Sequence, residues 1–122
     1  KTKKLIIADY KATSKKTEVS LDADWQIAYK RQMEFYQWLM RANGFEVEDE
    51  GWFVYCNGKV FDNHFNSQLS FDIKMIPYQG DDAWIEPILD NIKTCLDSEI
   101  MPSANANCKY CKYINNINLA SK

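Results

Sequence analysis

The run Leu5-Ile6-Ile7-Ala8, followed at once by Asp9-Tyr10-Lys11-Ala12-Thr13, constrains this chain more than any other stretch. An unbroken apolar run reads as a strand buried on both faces. Side chains alternate along a strand, so Asp9 and Lys11 share one face and Tyr10 takes the other. A carboxylate and an ammonium at the end of a buried strand are costly unless paired, hydrated or bound to something.

Length and charge set the outer limits. A chain of 122 residues is expected to form one domain, large enough for a real core. Its net charge of -2 carries no bulk basic character, so any DNA or RNA contact must rest on a local patch. Lysines do gather at the borders of the first strand, at Lys1, Lys3 and Lys4 and again at Lys11, Lys15 and Lys16. The plainer reading of such a run is a solvated terminus and turn. The opening residues do not form a secretory signal, and no stretch approaches the ~20 apolar residues of a membrane span. Cys56, Cys95, Cys108 and Cys111 are too sparse for a disulfide framework, and a cytoplasmic location is expected. The first residue is not methionine and a core strand follows almost directly, which reads as part of something longer.

In chain order, a Thr-, Ser- and Lys-rich loop runs from Ala12 to about Asp22. Asp22 or Asp24 is expected to cap a long helix that ends near Asn43-Gly44, with glycine in the left-handed cap. Ala28, Gln32, Phe35, Leu39 and Ala42 form one ridge of it, and Trp25, Tyr29, Met33, Tyr36 and Met40 the next. Gln32 is the polar intruder on this wide apolar face. Trp52-Phe53-Val54-Tyr55 predicts a strand, Asn57-Gly58 a tight turn, and Leu69 to Ile76 a further alternating strand ended by Pro77. Asp81-Asp82 opens a second helix reaching about Ser98, with Trp84, Ile88, Leu89, Ile92 and Leu96 as its apolar stripe. Pro87 is tolerable only near its first turn, so the regular helix is expected to begin after Asp82. The asparagine-rich tail holds Cys108-Lys109-Tyr110-Cys111. Strand, helix, strand, strand, helix predicts an α/β fold, a mixed sheet flanked by helices.

The Asp9–Lys11 pair suits a metal-dependent phosphodiesterase. The carboxylate can hold a divalent cation, and the lysine can sit near the attacking water and the phosphate. The same spacing recurs at Asp72-Ile73-Lys74, inside an alternating strand where the charges are expected to face solvent. What singles out the first copy is the helix after it. Gln32 and Tyr36 lie four residues apart and so on one side of that helix. A glutamine both donates and accepts, and a tyrosine offers a hydroxyl, so the two can hold a phosphate or a metal-bound water. The structural alternative is Tyr36 in the core with Gln32 bonded to a backbone group. His64, in a polar loop, reads as an ordinary surface residue, and no zinc-like spacing includes it.

Together, Ile7-Ala8-Asp9-Tyr10-Lys11-Ala12-Thr13 and Gln32-Met33-Glu34-Phe35-Tyr36, followed by Gly44-Phe45, two strands and a helix, resemble the PD-(D/E)XK nuclease superfamily. The branch they resemble is that of RecB-type nuclease domains and CRISPR-associated exonucleases, from Lys4 to about Cys111. The resemblance implies a restriction-endonuclease-like core and Mg²⁺- or Mn²⁺-dependent hydrolysis of DNA in repair or processing. It implies that Asp9 ligates the metal, that Lys11 orients or activates water, and that Gln32 and Tyr36 support the site and the DNA backbone. The family's other metal-binding aspartate, its first helix and the strands before D/E-x-K have no counterpart here. Residues 1–122 therefore read as the carboxy-terminal part of the core, whose missing strands a larger polypeptide or complex would supply. Some members bind a [4Fe–4S] cluster, which needs four thiolates. Only Cys108 and Cys111 match that pattern, so an iron–sulfur cluster is not expected. A second function stays open, a catalytically inactive module of this fold that binds nucleic acid or a partner protein.

Overall fold

A computed structural model describes residues 3–59 and 67–120. Six regular elements follow in order: β1 (Ala8–Thr13), α1 (Ile27–Ala42), β2 (Glu50–Gly58), β3 (Phe71–Gln79), α2 (Ile85–Leu96) and α3 (Lys109–Ala120). They fall into two compact units, Lys1–Ile85 and Glu86–Lys122. Among the described residues, no helix is long and apolar enough to cross a membrane.

The first unit is a mixed three-stranded sheet in the order β1-β2-β3. β1 runs parallel to β2, which α1 makes possible as the crossover, and β2 runs antiparallel to β3. An isolated bridge from Leu5 to Val47 extends the parallel pairing upstream. Asp9, Phe53 and Ile76 lie in register across the sheet, as do Lys11, Tyr55 and Lys74. The core gathers on this face: Met33 of α1 packs with Phe53, Tyr55, Val19 and Leu21, and Ile7, Tyr29, Ile76 and Tyr78 close around them.

β1 differs from the strand expected of its sequence. Among the described residues it is an edge strand, the apolar residues Leu5 to Ile7 lie before its regular ladder, and Ile6 and Tyr10 are exposed instead of buried. Only the face carrying Ile7, Asp9 and Lys11 looks onto α1. Tyr10 turns to the other face beside Cys56, whose thiol pushes the Tyr10 phenol upward.

Neither Asp22 nor Asp24 caps the long helix. A 3-10 turn over Asp24–Gln26 leads into it, and the Gln26 amide holds the entry. Gln26 Oε1 accepts from the Ala23 N–H at 2.9 Å while Nε2 donates to the Ser20 carbonyl at 2.6 Å. At the other end Gly44 takes φ +86°, the left-handed position expected of it. The buried side of α1 is more polar than its ridges implied: Met33, Glu34 and Gln37 are buried, while Phe35, Tyr36 and Leu39 are exposed. Glu34 and the Gln37 NH₂ are tied down there, while Gln37 Oε1 is buried without a partner among the described residues. Glu34 accepts from the Tyr78 hydroxyl at 2.6 Å and the Trp84 indole at 2.7 Å, and Gln37 Nε2 donates to the Asp49 carbonyl at 2.8 Å.

Asn57-Gly58 is not a turn. Both residues belong to β2, opposite Asp72 and Phe71, and the β2–β3 connection lies further on. The Asn57 amide instead clamps the loop after β1, accepting from the Lys15 N–H at 2.7 Å and donating to the Lys15 carbonyl at 3.0 Å. Pro77 does not end β3 either. It sits within the strand, paired with Trp52, and an edge strand tolerates a residue without an N–H. α2 begins at Ile85, later than Asp82 as Pro87 requires, and its residues Ile88, Leu89, Ile92 and Leu96 are exposed. The tail, without an expected element, forms α3. His64 lies outside the described residues.

Candidate active site

β1 delivers Asp9 and Lys11 to the α1 face of the sheet, and α1 lowers Gln32 and Tyr36 beside them. The connections form one chain. Asp9 Oδ2 lies 2.7 Å from Lys11 Nζ, with both side chains about 85% buried. Lys11 Nζ donates to Gln32 Oε1 at 2.7 Å, and Gln32 Nε2 donates to the Tyr36 hydroxyl at 2.7 Å. The glutamine uses both ends of its amide, as an acceptor for the lysine and a donor to the phenol. Gln32 does not bond to backbone, and Tyr36 is partly exposed with its own O–H left to donate outward.

Asp9 Oδ2 and Lys11 Nζ form a close, largely buried ion pair. Apart from Lys11, no donor reaches the buried Asp9 Oδ2 among the described residues. A carboxylate that spends one lone pair on an ammonium keeps others, and its oxygens are of the hard kind that Mg²⁺ and Mn²⁺ take. Asp9 thus fits as one arm of a metal site. Among the described residues no group of three or more His, Cys, Asp or Glu side chains could hold an ion, so water and substrate oxygens would complete the shell.

One neighbour escaped sequence reasoning. The Tyr29 ring lies 4.2 Å under Lys11 Nζ, a cation–π contact that fixes the ammonium from below. The signal was present, because positions 29, 32 and 36 share one helix face. Tyr55, in register with Lys11, forms the floor. Burial pushes its phenol up, with a bond from the Gln26 amide partly opposing that.

The second Asp-x-Lys copy is engaged elsewhere. Lys74 Nζ pairs with Glu18 and donates to the Val19 carbonyl at 3.0 Å, while Asp72 pairs with Lys59 at 2.8 Å. Both copies occupy one face of the sheet, yet only Asp9 and Lys11 meet each other and the helix.

The sequence model of the PD-(D/E)XK nuclease superfamily matches residues 1–115. This chain belongs to that superfamily. No curated protein and no solved structure gives a significant match. The mixed sheet with its helices is a restriction-endonuclease-like α/β fold, and membership points to metal-dependent nuclease activity. Nucleases of this superfamily generally use divalent metals such as Mg²⁺ and bind nucleic acid.

The remaining cysteines play separate parts. Cys56 is buried in β2. Cys108 stands just before α3 and its sulfur accepts the Cys111 N–H at 3.4 Å, the contact an N-cap residue makes with the first turn. That backbone donor, with the Cys111 thiol beside it, holds the Cys108 thiol below its ordinary range.

Proposed function

We propose that this chain carries the D/E-x-K half of a Mg²⁺- or Mn²⁺-dependent deoxyribonuclease of the RecB-type branch, an exonuclease acting in DNA repair or processing. The observation that carries the reading is the meeting of the largely buried Asp9 carboxylate with an ammonium that Gln32 and Tyr29 hold in place. A metal bound at Asp9 would supply Lewis acidity toward the phosphodiester and a more acidic water. Lys11 has three N–H donors. Gln32 takes one, Asp9 draws another, and the third is free to orient the attacking water or the scissile phosphate. The Tyr36 hydroxyl, aligned by Gln32, donates to a phosphate oxygen of the backbone. Residues 1–122 act as the carboxy-terminal part of a core to which another strand, from a larger polypeptide or complex, contributes the second carboxylate.

The test is cleavage of labelled DNA by the complete protein with Mg²⁺ or Mn²⁺, comparing wild type with Asp9→Ala and Lys11→Ala. Each substitution should lower the rate at least about a hundredfold. Equal cleavage by all three proteins removes both residues from the mechanism.

A second reading rests on the single carboxylate found at the site among the described residues. In it the fold is catalytically inactive and binds nucleic acid or a partner protein. Calorimetric titration with Mn²⁺ separates the two, since binding that vanishes in Asp9→Ala belongs to the nuclease.

A further inference from the structure

The Asp9–Lys11 site does not stop at Tyr36. In the other direction its contacts run from Lys11 to the Tyr29 ring, and from Tyr29 to Trp25. These two rings meet edge to face, with centroids 5.3 Å apart and planes at 81°. Lys15 Nζ lies over one face of the Trp25 ring, 5.2 Å from its centroid, which leaves the other face for a stacking partner. Trp25 is 54% exposed, an unusual position for a large apolar ring that its neighbours hold so firmly.

The indole and its neighbouring ammonium are both carried on backbone that is fixed from behind. The 3-10 turn that carries Trp25 is pinned by Gln26, whose amide bonds Ala23 and Ser20. The loop that carries Lys15 is pinned by the two bonds from Asn57. Neither constraint follows from local pattern, which places Asn57 in a turn and Trp25 on an apolar ridge. A core ridge would bury the ring. Here the backbone presents it to solvent instead, next to one cation and one aromatic step from another.

The geometry points to Trp25 as a stacking subsite for an unpaired nucleobase, with Lys15 on the flanking phosphate, and to single-stranded nucleic acid as the polymer led toward Asp9 and Lys11. This rests on the nuclease reading above and adds the form of its substrate. Aromatic faces bind bases of any sequence, and neighbouring ammoniums track the backbone, which is how single strands are held without base-specific contacts. A duplex keeps its bases stacked on one another and offers Trp25 no free face. The acidic balance of the whole chain is no obstacle, because the cations needed are local.

The experiment measures binding in EDTA, where no cleavage occurs, by fluorescence anisotropy of labelled dT12, of a 12-residue abasic deoxyribose-phosphate strand, and of a 12-base-pair duplex. Trp25→Ala and Trp25→Leu should each weaken dT12 binding about tenfold and leave the abasic strand unchanged. Trp25→Phe, which restores an aromatic face, should recover most of the loss. Lys15→Gln should weaken dT12 and the abasic strand alike and reduce the salt slope by about 0.7. An equal effect of Trp25→Ala on both strands overturns the proposal. So does wild-type protein that binds none of these strands, or a duplex bound as tightly with the same dependence on Trp25. Uridine 12-mers distinguish the polymers: tighter binding of U12 than dT12, with the same Trp25 dependence, supports the subsite and assigns it to RNA. Because Asp9 takes no part in this assay, loss of the Trp25 effect strikes the subsite alone, and Asp9-independent cleavage strikes the nuclease reading alone.

Discussion

Replacing Glu34 by glutamine removes one charge and almost no volume, and it falls where α1 is fastened to the sheet. The carboxylate takes the Tyr78 hydroxyl on Oε1 at 2.6 Å and the Trp84 indole N–H on Oε2 at 2.7 Å. A longer contact brings the Asp81 N–H to Oε1 as well, at 3.5 Å. Glutamine can keep both short contacts only with its oxygen toward the Trp84 indole and its NH₂ toward the Tyr78 hydroxyl, which must then accept instead of donate. The Asp81 N–H then faces a donor. Hydrogen bonds to a charged group are worth about 1.5–3 kcal/mol each. Both short contacts lose the charged acceptor, one of them reverses, and the Asp81 N–H loses its oxygen, for a total of about 2–4 kcal/mol. At an m-value of about 1.5 kcal/mol/M, a loss of about 3 kcal/mol moves the urea midpoint down by about 2 M. The substitution Trp84→Phe in the Glu34→Gln background should cost about 1 kcal/mol less than in wild type, because the indole no longer donates to a charge. A Glu34→Gln midpoint within about 0.3 M of wild type, or strict additivity with Trp84→Phe, would refute this account of how the helix is held. Gln32 and Tyr36 flank Glu34 on the same helix, so the variant should also reduce cleavage.

Three other expectations concern stability. Lys11→Met leaves the Asp9 carboxylate buried without a counter-charge and should cost about 3 kcal/mol. Asp9→Asn should cost only about 1 kcal/mol, because Lys11 keeps Gln32 and Tyr29; chemical denaturation gives the order. In Gly80→Ala the new Cβ would fall well inside contact distance of Gln37 Oε1. The buried amide must shift and strain its bond to the Asp49 carbonyl, a loss of about 1–3 kcal/mol in the same assay. Lys74 holds the Glu18 carboxyl below the usual carboxylate range, by hydrogen bond first and charge second. Its folded value is depressed, so the contact's contribution is complete above the ordinary glutamate pKa and is lost as pH falls through the lowered one. A side-chain NMR titration of Glu18 should show that lowered midpoint, and Lys74→Ala should return it to the ordinary range.

How far the sequence discloses this fold depends on which force decides each feature. The α1–β2–β3 order follows from apolar period and turn residues. Alternation on a strand pairs Asp9 with Lys11, and spacing on a helix pairs Gln32 with Tyr36. The meeting of the two pairs is legible only through the resemblance to the nuclease superfamily. Asn57-Gly58 misleads because a tertiary contact, the clamp on Lys15, competes with local turn preference and prevails. Pro77 misleads because a strand's tolerance for proline depends on its being at a sheet edge, which no local pattern encodes. Glu34 and Gln37 look like solvent-facing residues until Tyr78, Trp84 and the backbone at Asp49 arrive from far along the chain. The third helix was within reach. Tyr110, Ile114 and Ile117 keep helical spacing, though the surrounding asparagines are weak helix formers.

The two borders of the sheet are not equivalent. On β3, Pro77 interrupts the row of donors that a newcomer would need, so growth on that side is discouraged. β1 has no proline between Ala8 and Thr13 and lies at the sheet's other edge among the described residues, so under the function proposed above its outer rim would be where the contributed strand docks by main-chain pairing. Such a strand would run level with the acid–amine pair. Sheet extension and completion of the reactive centre would then be a single event.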